Sequence, residues 1–178
     1  MPELPEVETI ANGLNKRVAG DRIDSVWVGS KREPLKSSAA EISSTLEGAQ
    51  VERVRRVGKH IVFDLGSGKG ADGRQWIVHL GMTGRMLVVA PETEVPKHTH
   101  LVAKLASGRE LRFVDPRRFG RLSVATGFDA TGIEPLEADL ERFVALFRGR
   151  RGGRGRPCYA NQGAMDRSPR HDRQPENL

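Results

Sequence analysis

From Lys59 onward the chain is a succession of short apolar stretches, each closed by a turn former, and this rhythm restricts the fold more than any other feature. Residues 61–65 run into a glycine-rich turn from Gly66 to Gly73, and 76–80 and 85–89 follow. After a proline-containing loop come 100–105, the Ser107-Gly108 turn, 109–114 and 122–125. Short antiparallel strands at this spacing predict a β-sandwich or barrel rather than a parallel sheet. Two earlier stretches, 22–29 and 50–57, extend the series.

Three helices are predicted to flank the strands. The first carries Pro5 at its first position and Glu6 and Glu8 at the positive end of the dipole. Val7, Ile10 and Leu14 form its apolar stripe, and Gly13 or Gly20 ends it. A short helix spans Ala39 to Leu46 and stops at Gly48. A last one covers about 137–148, with Leu140, Phe143, Val144 and Phe147 at spacings of three and four. The expected class is therefore mainly β with flanking helices (α+β).

After Arg148 the composition changes: Gly149 to Leu178 contains no valine, isoleucine, phenylalanine, tryptophan or lysine. So little apolar surface cannot offset ordering entropy, and a domain over 1–148 followed by a disordered 149–178 tail is expected. The tail also explains most of the net charge of +6. From Arg148 onward eight arginines face only Asp166, Asp172 and Glu176, whereas residues 1–147 hold 21 basic against 20 acidic groups. Within that near-neutral body the basic residues cluster: Arg53, Arg55, Arg56 and Lys59 in one place, Lys97, Lys104, Arg109, Arg112, Arg117, Arg118 and Arg121 in another. Local cationic patches suit a polyanion held in a defined position.

Other classes are set aside by absence of their signals. No apolar run exceeds five residues, far short of a membrane span, and the acidic, proline-bearing start is no secretory signal. The single cysteine, Cys158, excludes an internal disulfide and a four-cysteine zinc site. A cytoplasmic protein is expected. His98-Thr99-His100 has the spacing that puts two imidazoles on one strand face, but neither His60 nor His79 is an obvious third ligand, so no metal is assigned.

The start itself, Met1-Pro2-Glu3-Leu4-Pro5-Glu6, offers chemistry. Removal of the initiator methionine before the small proline exposes a secondary amine at Pro2. Its pKa of about 8 leaves a useful nucleophilic fraction at neutral pH. Attack on an aldehyde-level carbon gives an iminium ion, an electron sink for elimination, with Glu3 beside it to shuttle protons. The plainer reading is that two prolines and three glutamates begin a helix.

Met1-Pro2-Glu3-Leu4-Pro5-Glu6-Val7-Glu8-Thr9 resembles the N-terminus of the formamidopyrimidine-DNA glycosylases, bifunctional base-excision repair enzymes. His79-Leu80-Gly81-Met82-Thr83-Gly84 and Asp115-Pro116-Arg117-Arg118-Phe119-Gly120 agree with that family in order and approximate spacing. The resemblance covers roughly residues 1–150. It implies a two-sheet antiparallel β-sandwich with an N-terminal helix, and action on oxidised purines (formamidopyrimidine, 8-oxoguanine) rather than pyrimidines.

By resemblance, Pro2 attacks C1′ of the damaged nucleotide, Glu3 is the general acid that assists ring opening, Glu6 helps in the same cluster, and Lys59 assists from a loop. Met82, Arg117 and Phe119 fill the void left by the rotated nucleotide and wedge the duplex. His98, with Arg118, contacts DNA. The implied partner is double-stranded DNA with a damaged base or abasic site, bound by a monomer.

The resemblance stops near residue 149. The family continues into a helix–two-turn–helix domain and a zinc ribbon, neither with a counterpart here, so no cofactor is expected in this chain. A truncated or out-of-frame reading of a longer gene, with reduced activity, is the expectation that follows. The alternatives are a non-catalytic nucleic-acid-binding β-sandwich using its arginine tail for phosphate contacts, and a non-functional fragment.

Overall fold

The computed structural model describes residues 2–66 and 73–129. The expected helix at 137–148, the boundary at 148 and the arginine-rich tail lie outside the described residues.

Helix α1 (Leu4–Val18) begins at Glu3, whose N–H donates to the Glu6 carboxylate at 3.1 Å. Pro5 is thus the second helical residue, not the first as expected, and its missing N–H still costs nothing in the first turn. Val7, Ala11, Leu14 and Val18 recur at spacings of three and four and are buried. Gly13 does not end the helix; Gly20 does, at φ 84° directly after the Ala19 cap, as one of the two expected stops. The Asn15 side chain accepts the Val54 N–H at 2.8 Å, which fixes the helix on the strand beneath it.

Strand β1 (Ile23–Val28) leads to helix α2 (Ala39–Leu46), capped by the Ser38 hydroxyl accepting the Glu41 N–H at 3.1 Å. Then come β2 (Gln50–Val57), β3 (His60–Gly66), β4 (Arg74–His79), β5 (Arg85–Val89), β6 (Thr99–Leu105), β7 (Glu110–Val114) and β8 (Arg121–Thr126). Every strand the sequence pattern predicted is present, with ends moved by a residue or two.

The strands form two antiparallel four-stranded sheets, ordered β1-β6-β7-β5 and β2-β3-β4-β8. One buried cluster draws Leu101, Ala103, Leu111 and Phe113 from the first, Ile61, Phe63, Trp76 and Val78 from the second, and the apolar faces of both helices. That is the expected two-sheet sandwich. Phe63 and Trp76 stack at its centre, ring centroids 4.6 Å apart, and truncating either to alanine costs about 3–5 kcal/mol. Strands β3 and β4 read as continuous apolar runs because both faces are covered: Val62 and Ile77 join Val57 in a smaller cluster on the side away from the main core. Among the described residues no helix is long and apolar enough to cross a membrane.

Candidate active site

The β2–β3 hairpin brings a lysine to the start of α1. Val57 pairs with His60, leaving the two-residue turn Gly58-Lys59, and Gly58 supplies the positive φ (56°) such a turn requires. Lys59 Nζ then stands 3.2 Å from Glu3 Oε2, next in sequence to Pro2. A second tie lies deeper. Arg56, its side chain only 1% exposed, donates through Nε to Glu8 at 2.6 Å and through Nη1 to the Gly58 carbonyl at 3.1 Å. Helix start and hairpin turn are therefore clamped at two points. Glu6 does a different job from Glu3: its carboxylate is turned to the Glu3 backbone.

Two loops form the other half of the arrangement. The β4–β5 turn carries Met82 and the β7–β8 loop carries Arg117, Arg118 and Phe119; Met82 and Phe119 are each 50% exposed. Large apolar side chains left in solvent on adjoining loops are not core residues. The loops touch through backbone: at Gly81 (φ 63°) a Cβ would sit 2.5 Å from the Phe119 carbonyl carbon and 2.7 Å from Gly120 N. Asp115, fully buried, accepts the Thr83 hydroxyl, the Arg117 N–H at 3.2 Å and the Gly120 N–H at 2.7 Å. The Arg117 guanidinium lies over the Phe119 ring, 4.9 Å from its centroid, so the pair is already stacked.

Two imidazoles that the sequence reading left without a role stand beside this region. His60 and His79 face each other across the β3–β4 ladder, ring centroids 5.0 Å apart, and His79 Nδ1 accepts the Gly81 N–H at 3.2 Å. Burial holds both below the ordinary imidazole range; for His79 the nearby charges of His60, Arg121 and Lys59 add to it.

The paired-histidine expectation is corrected. Strand β6 starts at Thr99, so His98 precedes it, exposed and at φ 71°, while His100 is buried with Nε2 2.9 Å from the Asp115 carbonyl. The strand spacing therefore does not apply to this pair, since only His100 lies within β6. Among the described residues no group of three or more His, Cys, Asp or Glu could hold a metal.

The basic clusters are also thinner than they read. Arg112 is buried against Glu110 at 2.7 Å, Arg55 pairs with Asp64 at 2.8 Å, and Arg109 meets Asp21 at 3.5 Å. These arginines serve the sandwich. Lys104, Arg117, Arg118 and Arg121 remain exposed.

Residues 1–122 match the formamidopyrimidine-DNA glycosylase N-terminal domain. The chain belongs to this family. A formamidopyrimidine-DNA glycosylase of Symbiobacterium thermophilum is 41% identical over 140 residues, covering 79% of this chain and 44% of that protein. Among solved structures, the Lactococcus lactis glycosylase bound non-covalently to DNA containing an AP site superposes with a TM-score of 0.64 at 30% identity, covering 70% of this chain and 45% of that one. MutM in complex with DNA containing carbocyclic 8-oxo-G gives the same TM-score, covering 71% and 45%. The chain spans about half the length of the relatives it matches.

All the geometry above falls inside or at the edge of the glycosylase-domain match: α1 and its lysine hairpin, the Met82 turn and the Asp115–Gly120 loop. Asp115, His60 and His79 escaped the sequence reading of function. Asp115 lies within a motif read for its arginines, and its only local signal was that of a turn former before proline.

Proposed function

We propose that the chain is the catalytic half of a DNA glycosylase and abasic-site lyase that removes oxidised purines from double-stranded DNA in the cytoplasm, as a monomer. The observation that carries this reading is the 3.2 Å approach of Lys59 to Glu3 beside Pro2, with Met82, Arg117 and Phe119 exposed on adjoining loops.

In this reading the Pro2 nitrogen donates its lone pair to C1′ as the C1′–N bond to the damaged base breaks, and the base leaves with a proton. Glu3 protonates the ring oxygen as the sugar opens, which leaves an iminium ion between Pro2 and C1′. Loss of a C2′ proton then expels the 3′ phosphate, and water cleaves the iminium to restore the amine. A cationic iminium near carboxylates is stabilised electrostatically. Met82 and Phe119 occupy the space vacated by the nucleotide, and Arg117 hydrogen-bonds the orphaned base, offsetting a few kcal/mol of lost stacking and pairing. His98 and Arg118 hold phosphates. The chemistry rests on an amine and carboxylates, and the reading assigns it no cofactor.

Borohydride reduction of the full chain with abasic-site DNA tests this. A covalent adduct through Pro2 is expected, absent in Pro2→Gly. If wild type and variant trap equally little while DNA still binds, the chain is a nucleic-acid-binding module and the enzymatic reading fails.

A further inference from the structure

Beside the wedge loop, on the side of β1, lies an open cavity of about 430 Å³ bordered by Trp27, Lys31, His98, Pro116 and Arg118. Nothing in the scheme above uses Trp27 or Lys31. Trp27 is 53% exposed, whereas the only other tryptophan, Trp76, is fully buried. The indole is not loose: a Cβ at Gly29 would sit 3.5 Å from its Cη2 and 3.4 Å from the His100 carbonyl, so the ring lies along that backbone.

The charge around it is of one sign. No carboxylate lines the cavity, and none among the described residues pairs with Lys31, His98 or Arg118. The backbone is unusual at the same place. His98 (φ 71°) and Arg118 (φ 56°) are the only non-glycine residues in the left-handed region among the described residues, and both border the cavity. Such conformations are strained and persist where surrounding structure imposes them, frequently at binding sites. Here the imposing bonds are visible: the His98 carbonyl accepts the Asp115 N–H at 3.0 Å, and the Asp115 carbonyl accepts the Arg118 N–H at 3.3 Å.

An exposed aromatic face among unpaired cations fits an unstacked nucleobase and its phosphates. We infer that this cavity is a second DNA subsite, which takes a nucleotide freed from pairing next to the wedge, its base on the Trp27 ring and its phosphates on Lys31 and Arg118. The adjacency follows from sequence: Pro116 and Arg118 belong to the loop that carries Arg117 and Phe119. The inference rests on the proposed action on DNA and adds to it a place for a displaced base.

Tryptophan emission of the full chain reads this directly. Trp76, shielded in the core, gives a constant background, and Trp27→Phe identifies the responding signal while keeping an aromatic surface. Titration with a duplex containing a tetrahydrofuran abasic analogue is expected to quench the Trp27 emission. The fully paired duplex should quench less, and Trp27→Phe not at all. Trp27→Ala should weaken binding of the abasic duplex about tenfold, and Lys31→Ala should lower the salt slope by about one. Saturated binding, followed by anisotropy, with unchanged Trp27 emission overturns the subsite alone. Equal quenching by paired and abasic duplexes overturns base stacking there. No binding of either duplex overturns the proposed function together with the subsite.

Discussion

Thr83 and Asp115, 32 residues apart, meet through a 2.5 Å hydrogen bond from hydroxyl to carboxylate, and that bond joins the Met82 turn to the Arg117–Phe119 loop. Asp115 is fully buried, and the three groups it accepts from are neutral. Its stability comes from donors placed around it and not from an ion pair, so removing it strands several of them. Asp115→Ala is expected to destabilise the protein by about 3 kcal/mol and Thr83→Val by about 1 kcal/mol. Urea unfolding measures both; a midpoint for Asp115→Ala equal to wild type refutes this role. Gly81→Ala should be costly for another reason, since its Cβ would strike the Phe119 backbone at a φ that L residues avoid.

Arg112 and Glu110 make the deepest ion pair described, with side chains 1% and 9% exposed. Arg112 also donates to the Thr93 and Glu94 carbonyls at 3.0 Å each, which ties down the segment leading to His98. Glu110→Ala leaves a buried guanidinium without its carboxylate and is expected to cost about 3–5 kcal/mol. Replacing both residues with leucine should cost less than that single change, because a desolvated charge is no longer stranded. A double variant less stable than Glu110→Ala in urea would show that the carbonyl contacts, not the charge pairing, dominate.

The strands were readable because turn formers and β-rich apolar stretches alternate from Lys59 to Thr126, and tertiary packing had no cause to override them. Helix α1 was readable in its stripe but not at Gly13, where an exposed glycine costs only about 1 kcal/mol and the buried Leu14 and Val18 outweigh it. Pairings across the chain were not readable. Nothing in a one-dimensional count distinguishes Arg112, consumed by Glu110, from Arg118, which is not. The approach of Glu3 to Lys59 depends on where a hairpin docks on a helix, which the N-terminal residues do not encode locally. The left-handed backbone at His98 was equally hidden, because two histidines two apart look like one strand face.

The Lys59–Glu3 contact should matter for chemistry and little for folding. Both side chains are partly in water, at 32% and 69% exposure, and exposed pairs of this kind are worth about 0–1 kcal/mol. Lys59→Met is therefore expected to keep the urea midpoint close to wild type while slowing borohydride trapping about a hundredfold, the scale of a lost proton-transfer group. Glu3→Gln should behave alike. Trapping at the wild-type rate in Lys59→Met would remove the lysine from the catalytic group.

The His60–His79 pair should make stability depend on pH in one direction. Burial depresses both, with Arg121 adding to it and a hydrogen bond involving the Val57 backbone opposing it at His60. His79 has a further reason to stay neutral: its Nδ1 lone pair holds the Gly81 N–H that shapes the Met82 turn. In the unfolded chain both rings titrate near about 6.5. Below that pH the unfolded state takes up protons that the folded state refuses, so folding free energy falls as the pH drops towards the folded-state values. Above about pH 6.5 the contribution is complete. The urea midpoint is expected to decline between about pH 7 and pH 5, and His60→Gln with His79→Gln to flatten that decline. Proton NMR of the ring Cε1–H signals should give midpoints under the ordinary value for both. A midpoint above it for His79 would mean that the folded protein takes up the second ring proton more readily than the unfolded chain, which is incompatible with the hold of Nδ1 on Gly81.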